Sequence, residues 1–369
     1  MGEEWGHRTG AEVRTYRPQL DSLRALAVAA VLYSHFWSVD TEFAELGVRL
    51  FFVLSGFLLT GILLNESDEA RRSGVRRTRV LLDFYGRRIL RIWPAYYFVL
   101  IAAVTLGATS VERTFSWHAL YATNILLFLH QDWYPLITRH LWTLSVEEQF
   151  YFVLPFGVLF VRRALLKPAL IGFIAAAIAF RGIICVIEVP REFYLVLPIS
   201  QFDALGGGAL LALLQHLRGS IAWKKLFAWS LPTTILWDVF HTYSALHYTF
   251  IIAAYVLPMA AIVSGADAGI GGCIGRLLSS RPLVMLGRIS YGIYLYHIFV
   301  GAAVDGVMQS LGYAAMPLGP ARFVVLSCFT LAAAAASWLV LERPALSLRR
   351  YFRRATETAV VGPAAPTSA

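Results

Sequence analysis

The stretch LDSLRALAVAAVLYSHFW, residues 20–37, decides the fold. Most of it is apolar, and it approaches the length of about 20 residues that a helix needs to cross a bilayer. It also contains Asp21, Arg24 and His35. An ionisable side chain near the bilayer centre costs about 2.5–3.5 kcal/mol on insertion scales. Each of these residues therefore needs a structural or functional reason to be there.

The composition of the whole chain has the same character. Of the 369 residues, 58% are hydrophobic and 15% are charged, whereas about a quarter of the residues of a typical soluble domain are charged. These values exclude a disordered or fibrous protein and argue against a soluble globule, because so few charges could not coat so much apolar surface. The three cysteines have no CxxC or metal-binding spacing, so we expect neither a disulfide framework nor a metal.

Ten segments are long and apolar enough to predict spanning helices, which makes the expected fold all-α and polytopic. They lie near residues 22–40, 47–64, 88–108, 142–161, 169–188, 195–214, 226–242, 246–264, 283–305 and 321–341. The run 118–130 is too short to span, and we expect it to be interfacial or re-entrant. The first 17 residues contain no apolar signal-peptide core, so the first span is expected to remain as an anchor.

Lysine and arginine are concentrated in alternate loops, and this bias predicts the orientation. The loops expected in the cytoplasm carry Arg71, Arg72, Arg76, Arg77, Arg79, Arg87, Arg88, Arg162, Arg163, Lys167, Arg218, Lys224, Lys225, Arg276, Arg281 and Arg288. An even number of spans then places both termini in the cytoplasm. We expect a cytoplasmic segment over 1–17, the membrane domain over 18–348, and a basic, then disordered, cytoplasmic tail over 349–369. Contact with anionic lipid explains these basic loops, so no nucleic-acid partner is expected.

Two pairs of ionisable residues are spaced so that both members of each pair lie on one face of a helix. Arg24 and His35 are eleven residues apart, which places them within about 20° of one face and roughly 16 Å apart along the helix. Arg88 and Arg91 are three apart and share a face, where two guanidiniums could clamp phosphates. The alternatives are that Arg24 extends to the interface, that His35 is a hydrogen-bonded structural residue, and that Arg88 and Arg91 only anchor the helix.

The fourth span, LWTLSVEEQFYFVLP over 141–155, carries Ser145, Glu147 and Glu148 near its start. Helix capping and the helix dipole explain one of the two glutamates. The second carboxylate enters an apolar span from the side that His35 approaches, and no structural role explains it.

Other polar groups at membrane depth have open roles. Tyr291, Tyr294 and His297 follow one another at i, i+3 and i+6, a spacing that favours a packed polar seam between helices over a functional role. Arg49 lies near the expected outer end of the second span, where it could extend to the interface or meet an anionic group. We assign it no catalytic role.

Six stretches of the chain, in order, resemble acyltransferase family 3, whose members are bacterial multi-span membrane enzymes that O-acylate sugars and some natural products. They are YRPQLDSLRALAV, GVRLFFVLSGFLLT, RRILRIWPAYY, LWTLSVEEQFYF, LGRISYGIYLYH and LERP. The resemblance runs from about residue 16 to 344. It implies that 18–348 is an acyltransferase domain of the bacterial inner membrane with an acyl-CoA donor, commonly acetyl-CoA. Many members carry an additional C-terminal esterase-like domain, which we do not expect here.

The family's motifs match this sequence residue by residue. Its Arg-x10-His pattern falls on Arg24 and His35, its Arg-x-x-Arg pattern on Arg88 and Arg91, and its Ser-x-Glu pattern on Ser145 and Glu147. We expect Arg88 and Arg91, with help from Arg24, to hold the phosphates of acyl-CoA, and His35 to act as a general base or as a covalent acyl relay. We expect Glu147 to orient the imidazole and Ser145 to position the acceptor hydroxyl.

The expected acceptor is a cell-surface or lipid-linked carbohydrate or a glycosylated small molecule. An alternative from another class is a transporter or flippase for a lipid-linked sugar. It would use the polar residues as a substrate or proton path, and it predicts an internal repeat or paired broken helices. Neither is visible in the sequence.

Overall fold

The structure is a computed structural model that describes residues 16–38, 42–187, 189–240 and 245–352. These ranges are helical and contain no β-strand, so the predicted all-α class is confirmed. Almost all of the predicted cytoplasmic segment 1–17, and the tail from 353 onward, lie outside the described residues.

Helices α1–α17 are labelled in chain order. The ten with 18 residues or more are α1 (Pro18–Phe36), α2 (Phe43–Ser73), α3 (Arg77–Thr105), α7 (Trp142–Phe160), α8 (Arg163–Val186), α10 (Pro198–Arg218), α11 (Trp223–Phe240), α12 (Ala245–Ala268), α15 (Ser290–Ser310) and α16 (Pro320–Ser337). The short ones are α4 (Thr109–Arg113), α5 (Phe115–Ala119), α6 (Thr123–His130), α9 (Arg191–Tyr194), α13 (Gly272–Leu278), α14 (Arg281–Arg288) and α17 (Arg343–Ser347). Single turns form at Arg139–Leu141, Trp338–Glu342 and Leu348–Tyr351.

Within the described residues, six helical segments are long and apolar enough to cross a membrane. They are Phe43–Ser73, Arg77–Thr105, Arg163–Val186, Thr249–Ala268, Ser290–Ser310 and Pro320–Tyr351. Each of the ten predicted spans overlaps one of the ten long helices, but α1, α7, α10 and α11 are not among these six candidate spans. The count of ten spans and the cytoplasmic termini stay predictions. The run 118–130 forms the end of α5 and all of α6, which are too short to span.

Helices α2 and α10 form the most extensive helix–helix contact in the described bundle, and a pair of glycines brings their backbones close together. A Cβ atom added at Gly56 would overlap the backbone of Leu205, and one added at Gly208 would overlap the backbone of Val53. Small residues allow helix backbones to approach closely where lipid supplies no hydrophobic driving force. This contact fixes α2 against α10, and α2 in turn packs on α1 and α7.

We predict that Gly56→Ala lowers the free energy of unfolding by about 1–3 kcal/mol, because the added methyl overlaps backbone that cannot move aside. Unfolding of the detergent-solubilised protein, followed by tryptophan fluorescence, measures the change. Gly157→Ala in α7 is the matched control, since a Cβ there meets open space. Equal stability of the two variants would contradict this account of the α2–α10 contact.

Candidate functional site

Two histidines from distant parts of the chain meet inside the bundle. His35 of α1 and His297 of α15 approach with 2.7 Å between His35 Nδ1 and His297 Nε2. Their ring planes differ by 5° and their centroids lie 4.9 Å apart. Two coplanar rings at this separation face each other edge to edge, as a hydrogen bond between imidazole nitrogens requires. The structure therefore pairs His35 with a residue that the sequence assigned to a packing seam.

The hydrogen-bond network determines which nitrogens of this pair carry protons. His297 Nδ1 lies 2.5 Å from the backbone carbonyl oxygen of Tyr294, and a carbonyl oxygen can only accept. His297 therefore carries its proton on Nδ1, and its Nε2 accepts from His35 Nδ1. In neutral His35 the lone pair is then on Nε2, which has no hydrogen-bond partner among the described residues. An imidazole nitrogen in this state can act as a base or a nucleophile.

A third histidine supports the pair. His140, just before α7, is 3% exposed and its Nε2 lies 3.0 Å from the carbonyl oxygen of Leu295. Its ring meets that of His297 edge to face, with 4.9 Å between centroids. No group of side chains in the described ranges has the arrangement of a metal site. His297 instead contacts both of the other imidazoles, and His140 and His297 each lie at hydrogen-bond distance from a backbone carbonyl.

His35 and His140 line an outer cavity of about 390 Å³. Its walls come from α1, α2 and α10 and from the segments that precede α7 and contain α9. Charged, polar and aromatic side chains face it: Ser34, Glu45, Arg49, Trp133, Arg139, Trp142, Arg191, Glu192, Gln201 and Tyr294. A space of this kind can hold a small polar molecule beside His35.

An inner cavity of about 80 Å³ lies next to it and contains the predicted arginines. It is lined by Arg24, Ser55, Arg88, Arg91, Glu147, Tyr151 and Tyr291, among others. The two cavities share Val48 and Tyr294 as lining residues. Tyr294 therefore stands between the arginines and His35, and the two polar spaces adjoin at its side chain.

The arginines at the start of α3 differ in their partners. Arg87 is buried, and its Nη2 donates to both carboxylate oxygens of Glu66, at 2.8 Å to Oε1 and 2.7 Å to Oε2. Arg88 and Arg91 line the inner cavity and have no carboxylate within ion-pair distance in the described part of the chain. Arg24 lies 3.4 Å from Asp21. Arg87 therefore has a structural partner, while Arg88 and Arg91 have no ion-pair partner among the described residues.

Glu147 does not contact His35, contrary to the expectation from sequence. Its Oε1 accepts a hydrogen bond of 2.9 Å from Ser55, whose hydroxyl oxygen accepts one of 3.1 Å from Tyr151. One turn earlier on the same face of α7, Thr143 donates to the Tyr294 hydroxyl at 2.7 Å. The reason is the position of Glu147 along α7. Thr143, one turn earlier, contacts Tyr294 next to the histidines, whereas Glu147 lies one turn further along the helix, at the inner cavity.

Ser145 also differs from its expected place. It is fully buried, its hydroxyl donates at 3.1 Å to the carbonyl of Leu141 in the turn before α7, and it lines neither cavity. Residues two apart on an α-helix are separated by about 200° of rotation. Ser145 and Glu147 thus point to opposite sides of α7, and the geometry does not support Ser145 as the residue that positions an acceptor.

Arg49 is part of a buried charge cluster. It lies 2.6 Å from Asp203, which also binds Arg181 at 2.7 Å. Gln201 accepts a further hydrogen bond from Arg49 at 3.1 Å. The cluster joins α2, α8 and α10 behind the outer cavity, so the side chain of Arg49 neither extends to the interface nor lacks an anionic partner.

The sequence did not single out His140, Arg139 or Thr143, and it gave His297 a packing role. The i, i+3, i+6 spacing of Tyr291, Tyr294 and His297 was the available signal. It shows that these side chains lie near one another on α15, but it does not show which helix they face.

Comparisons with known proteins agree on one family. The family model described as "Acyltransferase domain", of acyltransferase family 3, matches residues 17–340. This match covers most of the chain and includes every candidate residue described above. No solved structure matches the chain.

Three curated relatives illustrate the similarity. "Peptidoglycan O-acetyltransferase OatA" of Listeria monocytogenes is 26% identical over 317 residues, which cover 79% of this chain and 50% of that protein. "Nodulation protein 10" of Rhizobium leguminosarum bv. viciae is 28% identical over 389 residues, covering 95% and 97%. "O-acetyltransferase OatA" of Staphylococcus aureus is 25% identical, covering 76% and 50%. The chain spans about half the length of the Listeria and Staphylococcus proteins.

We predict that diethyl pyrocarbonate, which acylates unprotonated imidazole nitrogens, modifies His35, because its Nε2 is unpartnered and its side chain lines the outer cavity. Mass spectrometry of the treated, folded protein gives the modified positions. Exposed His130 is the positive control. His118 is the negative control, because it is fully buried with its ring nitrogens bonded to threonines. Failure to modify His35 when His130 has reacted completely would contradict an open Nε2.

Proposed function

This chain belongs to acyltransferase family 3, and on that premise we propose that it is a membrane O-acetyltransferase. It moves an acetyl group from cytoplasmic acyl-CoA to a hydroxyl of a cell-surface or lipid-linked carbohydrate. The single observation that carries the proposal is the unpartnered Nε2 of His35, which lines the outer cavity. The relatives named for O-acetyl transfer support the reaction class.

The inner cavity is the proposed donor site. Arg24, Arg88 and Arg91 line it, and guanidiniums bind phosphate oxygens through paired, charge-assisted hydrogen bonds. The positive-inside distribution of the loops supports a cytoplasmic position for this end. Arg24 and His35 are roughly 16 Å apart along α1, a separation that the extended pantetheine arm of CoA would bridge past Tyr294.

The proposed chemistry starts at His35 Nε2 and can follow two routes. In direct transfer, His35 Nε2 removes the proton of the acceptor hydroxyl while the hydroxyl oxygen attacks the thioester carbonyl carbon. The carbon–sulfur bond breaks, and the imidazolium returns the proton to the CoA thiolate. The imidazolium of His35 donates from Nδ1 to His297 Nε2, which keeps the ring in place. The Tyr294 carbonyl accepts from His297 Nδ1 and so leaves His297 Nε2 as an acceptor.

In the relay route, Nε2 attacks the thioester carbonyl and the carbon–sulfur bond breaks. The Nδ1 proton of the acyl-imidazolium passes to His297 Nε2, which leaves a neutral acyl-imidazole. The acceptor hydroxyl then attacks the acyl group, its proton ends on the CoA thiolate, and His297 returns its proton to His35. The same hydrogen bond between the two rings serves both routes.

Glu147 is proposed as a positioning residue of the donor site. It lines the inner cavity, between the arginines and Tyr294, and its hydrogen bond from Ser55 fixes the carboxylate in place. A buried carboxylate there offsets part of the positive charge of the arginines and borders the path of the pantetheine arm. It is not the group that orients His35, since His297 occupies that position.

The function is tested with purified full-length protein, acetyl-CoA and a soluble peptidoglycan fragment as the acceptor. We expect acceptor-dependent CoA release, a loss of about 10²–10⁴-fold in His35→Ala, and near-normal release in Ser145→Ala. Mass spectrometry of the fragment confirms the acetyl increment. If the protein in vesicles moves a lipid-linked sugar across the bilayer without releasing CoA, it is a transporter and the proposal fails.

A second prediction concerns the donor. Arg88→Ala combined with Arg91→Ala should raise the KM for acetyl-CoA about tenfold or more, because charge-assisted hydrogen bonds are each worth about 1.5–3 kcal/mol. The value of kcat at saturating donor should change less. Arg77→Ala, an exposed arginine at the start of the same helix, is the matched control. A fall in kcat with an unchanged donor KM would argue against phosphate binding by Arg88 and Arg91.

A further inference from the structure

Most charged residues that line the outer cavity are already neutralised by other residues. Glu45 forms an ion pair with Arg191 at 2.8 Å, and Arg191 also lies 3.2 Å from Glu42. Arg49 is paired with Asp203 at 2.6 Å. These ion pairs link the elements that form the cavity wall. Because their charges are already compensated, they do not require a charged ligand.

Among the arginines of this lining, Arg139 has no ion-pair partner in the described part of the chain. It begins the single turn Arg139–Leu141 in front of α7 and lines the outer cavity together with His35. Its side chain is half-buried and makes no ion pair or hydrogen bond with any described residue. Glu192, the remaining acidic residue of the lining, is exposed and lies beyond ion-pair distance. Partial burial lowers the pKa of the Arg139 guanidinium, because removal from water penalises its charge and no carboxylate compensates.

Two tryptophan side chains in the cavity lining provide flat apolar surfaces on which a sugar ring can pack. Trp133 and Trp142 both line the cavity, and each is held by an aromatic neighbour: Trp133 by Phe193 at 5.6 Å and Trp142 by Phe52 at 6.3 Å between ring centroids. Indole faces give a flat apolar surface for the carbon face of a sugar. The volume of about 390 Å³ falls within the range of small-molecule pockets, about 300–1,000 Å³.

We propose that the outer cavity binds an acceptor carbohydrate that carries an anionic group, and that Arg139 holds this group while a hydroxyl of the sugar faces His35. The chemistry recognised is that of a carboxylate or a phosphate, whose paired oxygens match the fork of a guanidinium. This inference rests on the proposed function for the identity of the cavity as the acceptor site. Arg139 thereby selects the acceptor and takes no part in the bond-making step.

Binding is measured first, with the full-length protein and no acyl-CoA, so that no transfer can occur. The probes are a glucuronic-acid oligosaccharide, its carboxamide derivative and a phosphorylated sugar oligomer. Quenching of tryptophan fluorescence reports binding, since Trp133 and Trp142 line the cavity. We expect the charged probes to bind at least tenfold more tightly than the carboxamide, and the tighter of the two charged probes identifies the anion.

Arg139→Met should remove this preference and leave carboxamide binding unchanged, while Arg139→Lys keeps part of it. Arg113→Met is the matched control, because Arg113 is exposed and lies outside the cavity. Equal binding of the charged and neutral probes by the unmodified protein, or an unchanged preference in Arg139→Met, overturns the proposal.

Transfer kinetics then separate this inference from the proposed function. With acetyl-CoA present, Arg139→Met should raise the KM of the charged acceptor about tenfold or more and leave its kcat nearly unchanged. An equal fall in kcat for charged and neutral acceptors would mean that Arg139 stabilises the transition state, and the anion-binding role would be wrong although acetyl transfer stands. Charge-selective binding that depends on Arg139, without any acetyl transfer, supports the anion site and contradicts the proposed function.

Discussion

The arrangement of the site depends on one hydrogen bond, from His297 Nδ1 to the backbone carbonyl of Tyr294. A backbone carbonyl cannot donate, so this contact decides the tautomer of His297 and, through it, that of His35. His297 is fully buried, and in the interior of a helical bundle the hydrogen bond is stronger than it would be in water. The reactive nitrogen of His35 is thus specified by the backbone of α15, a helix that contains none of the residues first assigned to the site.

The polar residues also account for the character of the helices that carry them. Helices α1, α7 and α10 hold Arg24, His35, Glu147 and Asp203, and none of the three is among the six described segments that are long and apolar enough to span. Ionisable groups at membrane depth are tolerated where they face the bundle interior and find partners. Asp203 satisfies this condition with two arginines. Arg88, Arg91 and Arg139 have no such ion-pair partner in the described ranges, and each of them lines a cavity.

Local helical spacing predicted part of this site. It placed Arg24 and His35 on one stripe, and Arg88 and Arg91 on one face. In the structure Arg24, Arg88 and Arg91 line the inner cavity, and His35 lines the outer cavity next to it. The same rule separates Ser145 from Glu147, because two residues amount to more than half a turn. The Ser-x-Glu motif contains both Ser145 and Glu147, so both were expected at one site. The periodicity of α7 nevertheless places their side chains on opposite sides of the helix.

The partner of His35 could not be found in this way. His297 lies 262 residues away, and helical periodicity gives only the face of α15 on which it stands. Which helix packs against that face is set by the association of α1, α15 and α16, which depends on packing among helices distant in sequence. The contact between Glu147 and Ser55 likewise depends on the axial position of α7 relative to α2.

The central claim is that His297 keeps the lone pair of His35 on Nε2. Nitrogen-15 NMR of the protein labelled at histidine measures this directly, with the His35 signals assigned by their loss in His35→Ala. The account predicts a protonated Nδ1 and an unprotonated Nε2 for His35, and a mixture of tautomers in His297→Ala. A proton on Nε2 of His35 in the unmodified protein, or a tautomer that is unchanged in His297→Ala, would contradict it.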